Sequence, residues 1–282
     1  MELEMMKSKF HNVKLVVFDL DGTLLNSQSQ ISEESKYAID LLKEKGIRIA
    51  IASGRIFSMI KHFSETLGLK DFIISSNGAA IDDLSTNQPL QQLFTNPKDA
   101  KKVVEFCVKN HIECNILKRD ACYFQPYSRR IDRFNLYNIH ARQVHSDEIK
   151  IILYDDGIHD YSKIEKLLIY EMDETKTHQV LEFVHENTKL IHMSSGHGYT
   201  DISSPGVSKG HAVKKIAEYL NISLDHVCVF GDYDNDVSMF EIAGLAIATA
   251  NGSPKALENA DFITLSNDDE GIAYAIKKLL LS

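Results

Sequence analysis

The segment Val13-Lys14-Leu15-Val16-Val17-Phe18 constrains the fold most, because its β-branched and aromatic residues run on without polar alternation and then stop at Asp19-Leu20-Asp21-Gly22-Thr23. A strand that is apolar at successive positions must be covered on both faces, which is the situation of a central strand in a parallel sheet. The acidic residues therefore stand where a buried strand ends. Asp19 and Asp21 are two residues apart, so an extended chain sends both side chains to one side, about 6 to 7 Å apart along the strand. Gly22 lets the backbone turn sharply straight after them.

The same grammar repeats. Ser32 can cap a helix with Glu33 and Glu34 in its first turn and Ala38, Leu41 and Leu42 on one face, closed by Gly46. Ile47 to Ala52 reads as a second buried strand, Ser53-Gly54-Arg55 as the turn after it, and Ile56, Met59, Ile60, Phe63 and Leu67 as one face of the next helix. Phe72 to Ser75 makes a third strand. Near the C-terminus a helix through Val213, Ile216, Ala217 and Leu220 is followed by strands at Val227 to Phe230, Leu245 to Ala248 and Phe262 to Leu265. Alternating strands and helices predict an α/β fold, a Rossmann-like parallel sheet with helices on both faces.

Between the two halves the pattern changes. A helix opens at Asn96-Pro97, strand-like runs follow at Ile112 to Leu117, Ile149 to Tyr154 and Lys166 to Met172, and another helix spans Thr175 to Asn187. This predicts an α+β domain inserted at 84–195, with the core in two parts, 1–83 and 196–282. Met59, Phe63 and Tyr219 sit at helical spacing and read as core.

Charge and composition exclude several classes of function. A net charge of -9 argues against nucleic acid, which needs a basic face to neutralise phosphates. No apolar run is long enough to cross a bilayer and no leader-like segment opens the chain, so a cytoplasmic location is expected. Cys107, Cys114, Cys122 and Cys228 have no CxxC spacing and suit buried thiols. The pairs His140 with His145 and His192 with His197 match no metal motif. Arg129, Arg130 and Arg133, beside Tyr127 and Phe134, form the one short basic cluster, read as an exposed face in preference to a substrate contact. His197 and Tyr199 stand near the return to the core, where a side chain can face the substrate.

In an open parallel sheet ligands bind beyond the carboxyl ends of the strands, so the turns must be read together. They collect Asp19, Asp21 and Thr23, then Ser53 and Gly54, then Lys209 before the Ala212 helix, then Gly231, Asp232, Asn235 and Asp236. Carboxylates crowded this way require a cation, and an oxygen-only donor set points to a hard ion such as Mg²⁺. A carboxylate can itself attack phosphorus, while a second acid protonates the leaving oxygen and later deprotonates water. Ser53 and the Gly54 amide can hold phosphate oxygens, and Lys209 can neutralise the transition state. Taken singly, Ser53 would be a helix cap, Lys209 a solvated charge and Asp234 turn chemistry.

Asp19-Leu20-Asp21-Gly22-Thr23, the Ser53 turn, Ser208-Lys209-Gly210 and Gly231-Asp232-Tyr233-Asp234-Asn235-Asp236 resemble, in order, the four motifs of the haloacid dehalogenase superfamily. With the insert between the second and third motifs, the chain is most similar to the Cof-type branch of sugar-phosphate phosphatases with a large α/β cap. The resemblance implies Asp19 as nucleophile and Mg²⁺ ligand, Asp21 as general acid/base that also offers its backbone carbonyl to the metal, and Asp232 as the third protein ligand. It implies that Asp236 supports the metal site from behind and that Asn235 touches the phosphate. The likeness covers both core segments, while the cap matches in position and size. Tyr233 stands where relatives more often carry a small or amide residue, and Ala248-Thr249-Ala250-Asn251-Gly252 replaces a Gly-Asn-Ala type of turn.

These features predict a phosphatase for a small phosphorylated metabolite, with sugar phosphates leading and the cap closing to exclude water. A mutase or phosphotransferase would use the same chemistry with an acceptor hydroxyl. A non-catalytic Mg²⁺-binding phospho-acceptor module is the third reading, opposed by Asp21 and by the large cap.

Overall fold

The computed structural model describes residues 7, 9–143 and 146–280, so that His145 lies outside the described residues. Strand β1 (Leu15–Asp19) is buried at all five positions, as its unbroken apolar run requires. It pairs in parallel with β2 (Arg48–Ala52) on one side and β12 (Val227–Gly231) on the other. β3 (Phe72–Ser75) continues the parallel sheet beyond β2, while β13 (Leu245–Ala248) and β14 (Phe262–Ile263) continue it beyond β12. The chain thus winds outward from β1 in both directions. The crevice where the direction reverses lies between the ends of β1 and β12, the place where such sheets bind ligands.

Helices cover both faces. α1 (Glu33–Glu44) is capped by Ser32, whose side chain accepts from the Ser35 amide, and it buries Ala38, Ile39 and Leu42. With α9 (Gly271–Leu280) it covers Val16, Phe18, Ile49 and Phe230. On the opposite face α6 (Lys209–Leu220) lays Val213 and Ile216 over Leu15, Val17 and Val229. Each such side chain contributes roughly 1.5 to 3 kcal/mol through burial. Tyr219 departs from its expected core role: it is 52% exposed and meets Phe72 only edge-on.

The insert forms its own six-stranded sheet in the order β10-β11-β9-β6-β7-β8, made from β6 (Cys114–Leu117), β7 (Ala121–Phe124), β8 (Lys150–Leu153), β9 (Lys166–Tyr170), β10 (Ile191–Gly196) and β11 (Tyr199–Ser203). α3 (Pro97–Lys109) and α5 (Glu174–Asn187) pack on one face, and α4 (Ile131–Gln143) lies against the other. β4 (Ala80–Asp83) and β5 (Gln88–Gln92) form an antiparallel hairpin that extends the core sheet past 84, and β11 belongs to the insert past 195. The hairpin lacks a long apolar run because β5 is an edge strand, exposed along much of its length. The insert rests on the core where Ile56 and Met59 pack with Leu117, Phe124, Phe134 and Leu168.

All four cysteines are buried free thiols. No helix among the described residues is long and apolar enough to cross a membrane.

Candidate active site

Lys209 sits at the centre of the floor. Ser208 caps α6, its hydroxyl accepting from the His211 amide at 3.0 Å, so Lys209 is the first helical residue. Gly210 follows because a Cβ there would collide with the Ser238 carbonyl. The Lys209 side chain is 1% exposed and its ammonium joins Asp19 and Asp236, the latter at 2.6 Å. It is no solvated charge. Asp236 is fully buried, and its other oxygen accepts from the amides of Asp232 at 2.9 Å and Tyr233 at 3.0 Å, which locks the turn after β12. Thr23 donates its hydroxyl to Asp232 at 2.9 Å. Gly22, at φ +82°, brings the backbone so close to the Asp232 carboxylate that a side chain would displace it.

Asp21 faces the cleft with its side chain half-exposed and receives a bidentate clamp from Arg55, at 2.8 and 2.6 Å. Nothing in the sequence pattern singles out Arg55, although it directly follows the Ser53-Gly54 turn. Ser53 is buried beside it, accepting from the Arg55 amide at 3.2 Å. Helix capping does not explain Ser53, because the cap of α2 (Phe57–Thr66) is Ile56. The Gly54 amide has no protein acceptor among the described residues, which leaves it available to an oxyanion. Asn235 donates to Asn77 at 3.0 Å, and Asn77 donates to Asp201 of β11 at 2.7 Å. Sequence reasoning misses Asn77, because Asn77-Gly78 signals only a turn. Its φ of 57° and its burial place its amide on the Ser53 carbonyl at 3.0 Å, so it joins the Ser53 turn to the insert.

These groups open into a cavity of about 260 Å³ whose floor holds Asp19, Asp21, Asp232 and Asn235. The insert supplies the opposite wall through Arg130, Arg133, Lys166 and Tyr199. The basic cluster is therefore partly a cleft wall and no mere exposed face. Arg129 alone turns away, pairing with Glu113 at 3.3 Å. Tyr199 faces the cavity, whereas His197 and His192 line a separate groove. Sequence reasoning misses Lys166 too; the available signal is a lysine opening the apolar run Lys166-Leu167-Leu168-Ile169-Tyr170.

The electrostatics are uneven. Burial, together with Asp236 and Asp232, holds the Asp19 carboxyl well above the usual range despite Lys209. Burial and the Asp236 charge push Asp232 up to about 7. Burial would also raise Asp21, yet Arg55 outweighs it and the net shift is downward. For Lys209 burial works against the charge, but Asp19 and Asp236 prevail and raise it. Oxygens of Asp19, Asp232 and Asp236 lie within 4.8 Å of one another with a single ammonium among them. That excess of buried negative oxygen fits a hard divalent cation. An acid whose folded pKa is raised costs stability once it ionises. In chelator the thermal midpoint is expected to fall as pH rises from near 3.8 through about 7, the interval over which Asp232 is ionised in the unfolded chain but still holds its proton in the folded state. Millimolar Mg²⁺ should restore most of it at pH 7.5; scanning calorimetry with and without EDTA is the check, and a midpoint indifferent to both would contradict it.

The sequence pattern of the haloacid dehalogenase-like hydrolases matches residues 16–276. The chain belongs to that family. Among curated relatives, the phosphatase YwpJ of Bacillus subtilis (strain 168) is 30% identical over 293 residues, covering 95% of this chain and 100% of the relative. The 5-amino-6-(5-phospho-D-ribitylamino)uracil phosphatase YwtE of the same organism is 30% identical over 285 residues, covering 95% and 98%. A solved haloacid dehalogenase-like hydrolase from B. subtilis superposes with a TM-score of 0.81 at 28% identity, covering 95% of this chain and 100% of that one. The protein is a phosphatase of the Cof-type branch.

Its departures from the family pattern have structural roles. In this haloacid dehalogenase-like phosphatase the Ala248–Gly252 loop braces the first motif: Thr249 and Asn251 donate to the Gly22 carbonyl at 3.1 and 2.8 Å. Ser253 clamps the last motif, its amide donating to the Asp232 carbonyl at 2.7 Å and its hydroxyl to Asp234, also at 2.7 Å. Asp234 is accordingly turn chemistry. Tyr233 lines the cleft.

Proposed function

We propose that the protein is a Mg²⁺-dependent, cytoplasmic phosphatase that hydrolyses small sugar-like phosphate esters through an aspartyl phosphate on Asp19. The observation that carries this reading is the convergence of Asp19, Asp232, Asp236 and Lys209 on one buried point beside the cavity, with Asp21 on the same floor. Asp19, the carbonyl of Asp21 and Asp232 would hold the ion, and Asp236 would steady Asp232 and Lys209. Bound Mg²⁺ would supply positive charge to the phosphoryl oxygens and keep Asp19 ionised. Ser53, the Gly54 amide, Asn235 and Lys209 would hold the transferring group in line with Asp19.

Attack by a carboxylate oxygen of Asp19 on phosphorus forms the acyl phosphate as the ester oxygen departs with a proton from Asp21. Asp21 then takes a proton from water as that water attacks phosphorus, and phosphate leaves. In the free site Arg55 keeps Asp21 ionised, the form the second step needs. Protonation of Asp21 for the first step requires Arg55 to exchange that carboxylate for a phosphoryl oxygen. The substrate named for YwtE is a phosphorylated ribityl compound, which supports sugar-like esters as the class.

Phosphate release from a panel of sugar phosphates and p-nitrophenyl phosphate, in Mg²⁺ and in EDTA, tests the reading. Metal-dependent release is expected; acceptor-dependent phosphoryl transfer without free phosphate would favour a mutase instead. Asp21→Asn should lower turnover of alkyl phosphates about 10² to 10⁴-fold. With the aryl ester, whose leaving group needs no acid, it should give one equivalent of nitrophenolate per enzyme ahead of phosphate. Equal losses on both substrates and no burst would remove the acid/base role from Asp21.

A further inference from the structure

The insert wall carries a cation that the reaction above does not use. Arg130 is half-buried, its guanidinium lies 4.6 Å from the centre of the Tyr199 ring, and it donates to the Tyr199 hydroxyl at 2.5 Å. Its buried Nε has no acceptor. The neighbouring cations are neutralised: Lys166 by Asp201 at 2.8 Å and Arg129 by Glu113. Among the described residues no carboxylate pairs with Arg130 or with Arg133. A partly desolvated guanidinium without an anion is costly unless a ligand supplies one.

The two arginines are not equivalent. Arg133 lines the same cavity but is exposed, with no ring or hydroxyl among the described residues holding its guanidinium. Arg130 is fixed on Tyr199 of β11 in the insert wall, and in the reaction proposed above Ser53, Gly54 and Lys209 already serve the transferring phosphoryl group. An anion at Arg130 would thus belong to the leaving group. A cavity of about 260 Å³ has room for a leaving group of sugar size between them.

We propose that Arg130 binds a second anionic group on the substrate, a carboxylate or a second phosphate at the end of the leaving group remote from the ester, so that the preferred substrates are phosphorylated sugar acids or bisphosphates. This rests on the phosphatase reading for turnover but not for binding. Two matched pairs probe it: 6-phosphogluconate against sorbitol 6-phosphate, which differ only in carboxylate against hydroxymethyl, and fructose 1,6-bisphosphate against fructose 6-phosphate. In Mg²⁺ the parent should favour the anionic member of at least one pair by about tenfold or more in kcat/KM, as expected for a charge-assisted contact. The favoured pair tells carboxylate from phosphate.

Arg130→Gln should bring that ratio to within about threefold, and Arg130→Lys should retain part of it. If Arg130→Gln lowers both members equally, Arg130 serves the transferring phosphoryl group and the proposal is overturned; a parent without preference overturns it too. Calorimetric binding of the same pairs to Asp19→Asn separates this from the hydrolase reading. Tighter binding of the anionic member, lost on adding Arg130→Gln, supports the second-anion site even if no ester is turned over. Equal Kd for both members overturns it even if every ester is hydrolysed.

Discussion

Asp19→Asn is expected to lower phosphate release from every ester by on the order of 10⁴-fold or more, the loss typical when the nucleophile of a covalent mechanism is removed. Asn keeps the shape of the side chain and an oxygen that can still accept from Lys209. The fold should therefore survive. Asp19 lies in a cluster with more negative charge than its one ammonium can balance, so neutralising it should leave the metal-free thermal midpoint unchanged or raised. Residual turnover near the parent level, in protein of normal stability, would move the nucleophile elsewhere. Mass spectrometry of the parent quenched in acid during turnover should find a phosphoryl adduct on the peptide containing Asp19, and Asp19→Asn should show none.

Lys209→Met should do more damage to the fold than any other single change at the site. Methionine fills much of the same volume, yet it leaves Asp19 and Asp236, both buried, without their shared counter-ion. Removing one partner from such a network costs about 3 to 5 kcal/mol, or roughly 10 °C in thermal midpoint for a chain of this size. The loss should be greater at pH 8 than at pH 5, because at the lower pH the Asp19 carboxyl, which burial holds well above the usual range, can protonate and escape the repulsion. Mg²⁺ should recover part of the stability but little of the turnover, since the ammonium proposed to neutralise the transferring group is gone. An unchanged midpoint in chelator at pH 8 would mean that Lys209 is not the counter-ion that holds this floor together.

The core is legible in the sequence to the extent that each element depends on its own residues. Val13 to Phe18 has to be a central strand because its apolar run reaches the sheet's edge of carboxylates without alternation, and Ser32, Asn96 and Ser208 cap helices because their side chains reach amides two or three residues ahead. Asp19, Ser53, Lys209 and Asp232 can be gathered from the sequence because parallel strands deliver their ends to one edge of the sheet. The hairpin of β4 and β5 is not legible, since an edge strand needs no apolar pattern. Tyr219 shows the reverse failure: helical spacing promises burial, but the residue lies at the margin of its face.

What the sequence by itself determined is the α/β alternation, the order of the four motif-bearing turns and the chemistry that their carboxylates and lysine could support. Only the tertiary structure decided that Arg55 clamps Asp21, that Asn77 ties the Ser53 turn to Asp201, and that Arg130 and Lys166 face the site while Arg129 does not. The physical reason is range. Burial periodicity and capping act within a few residues of the chain, whereas the partner of a charge is whichever group another sheet brings within a few ångströms, and sequence spacing carries no record of that approach.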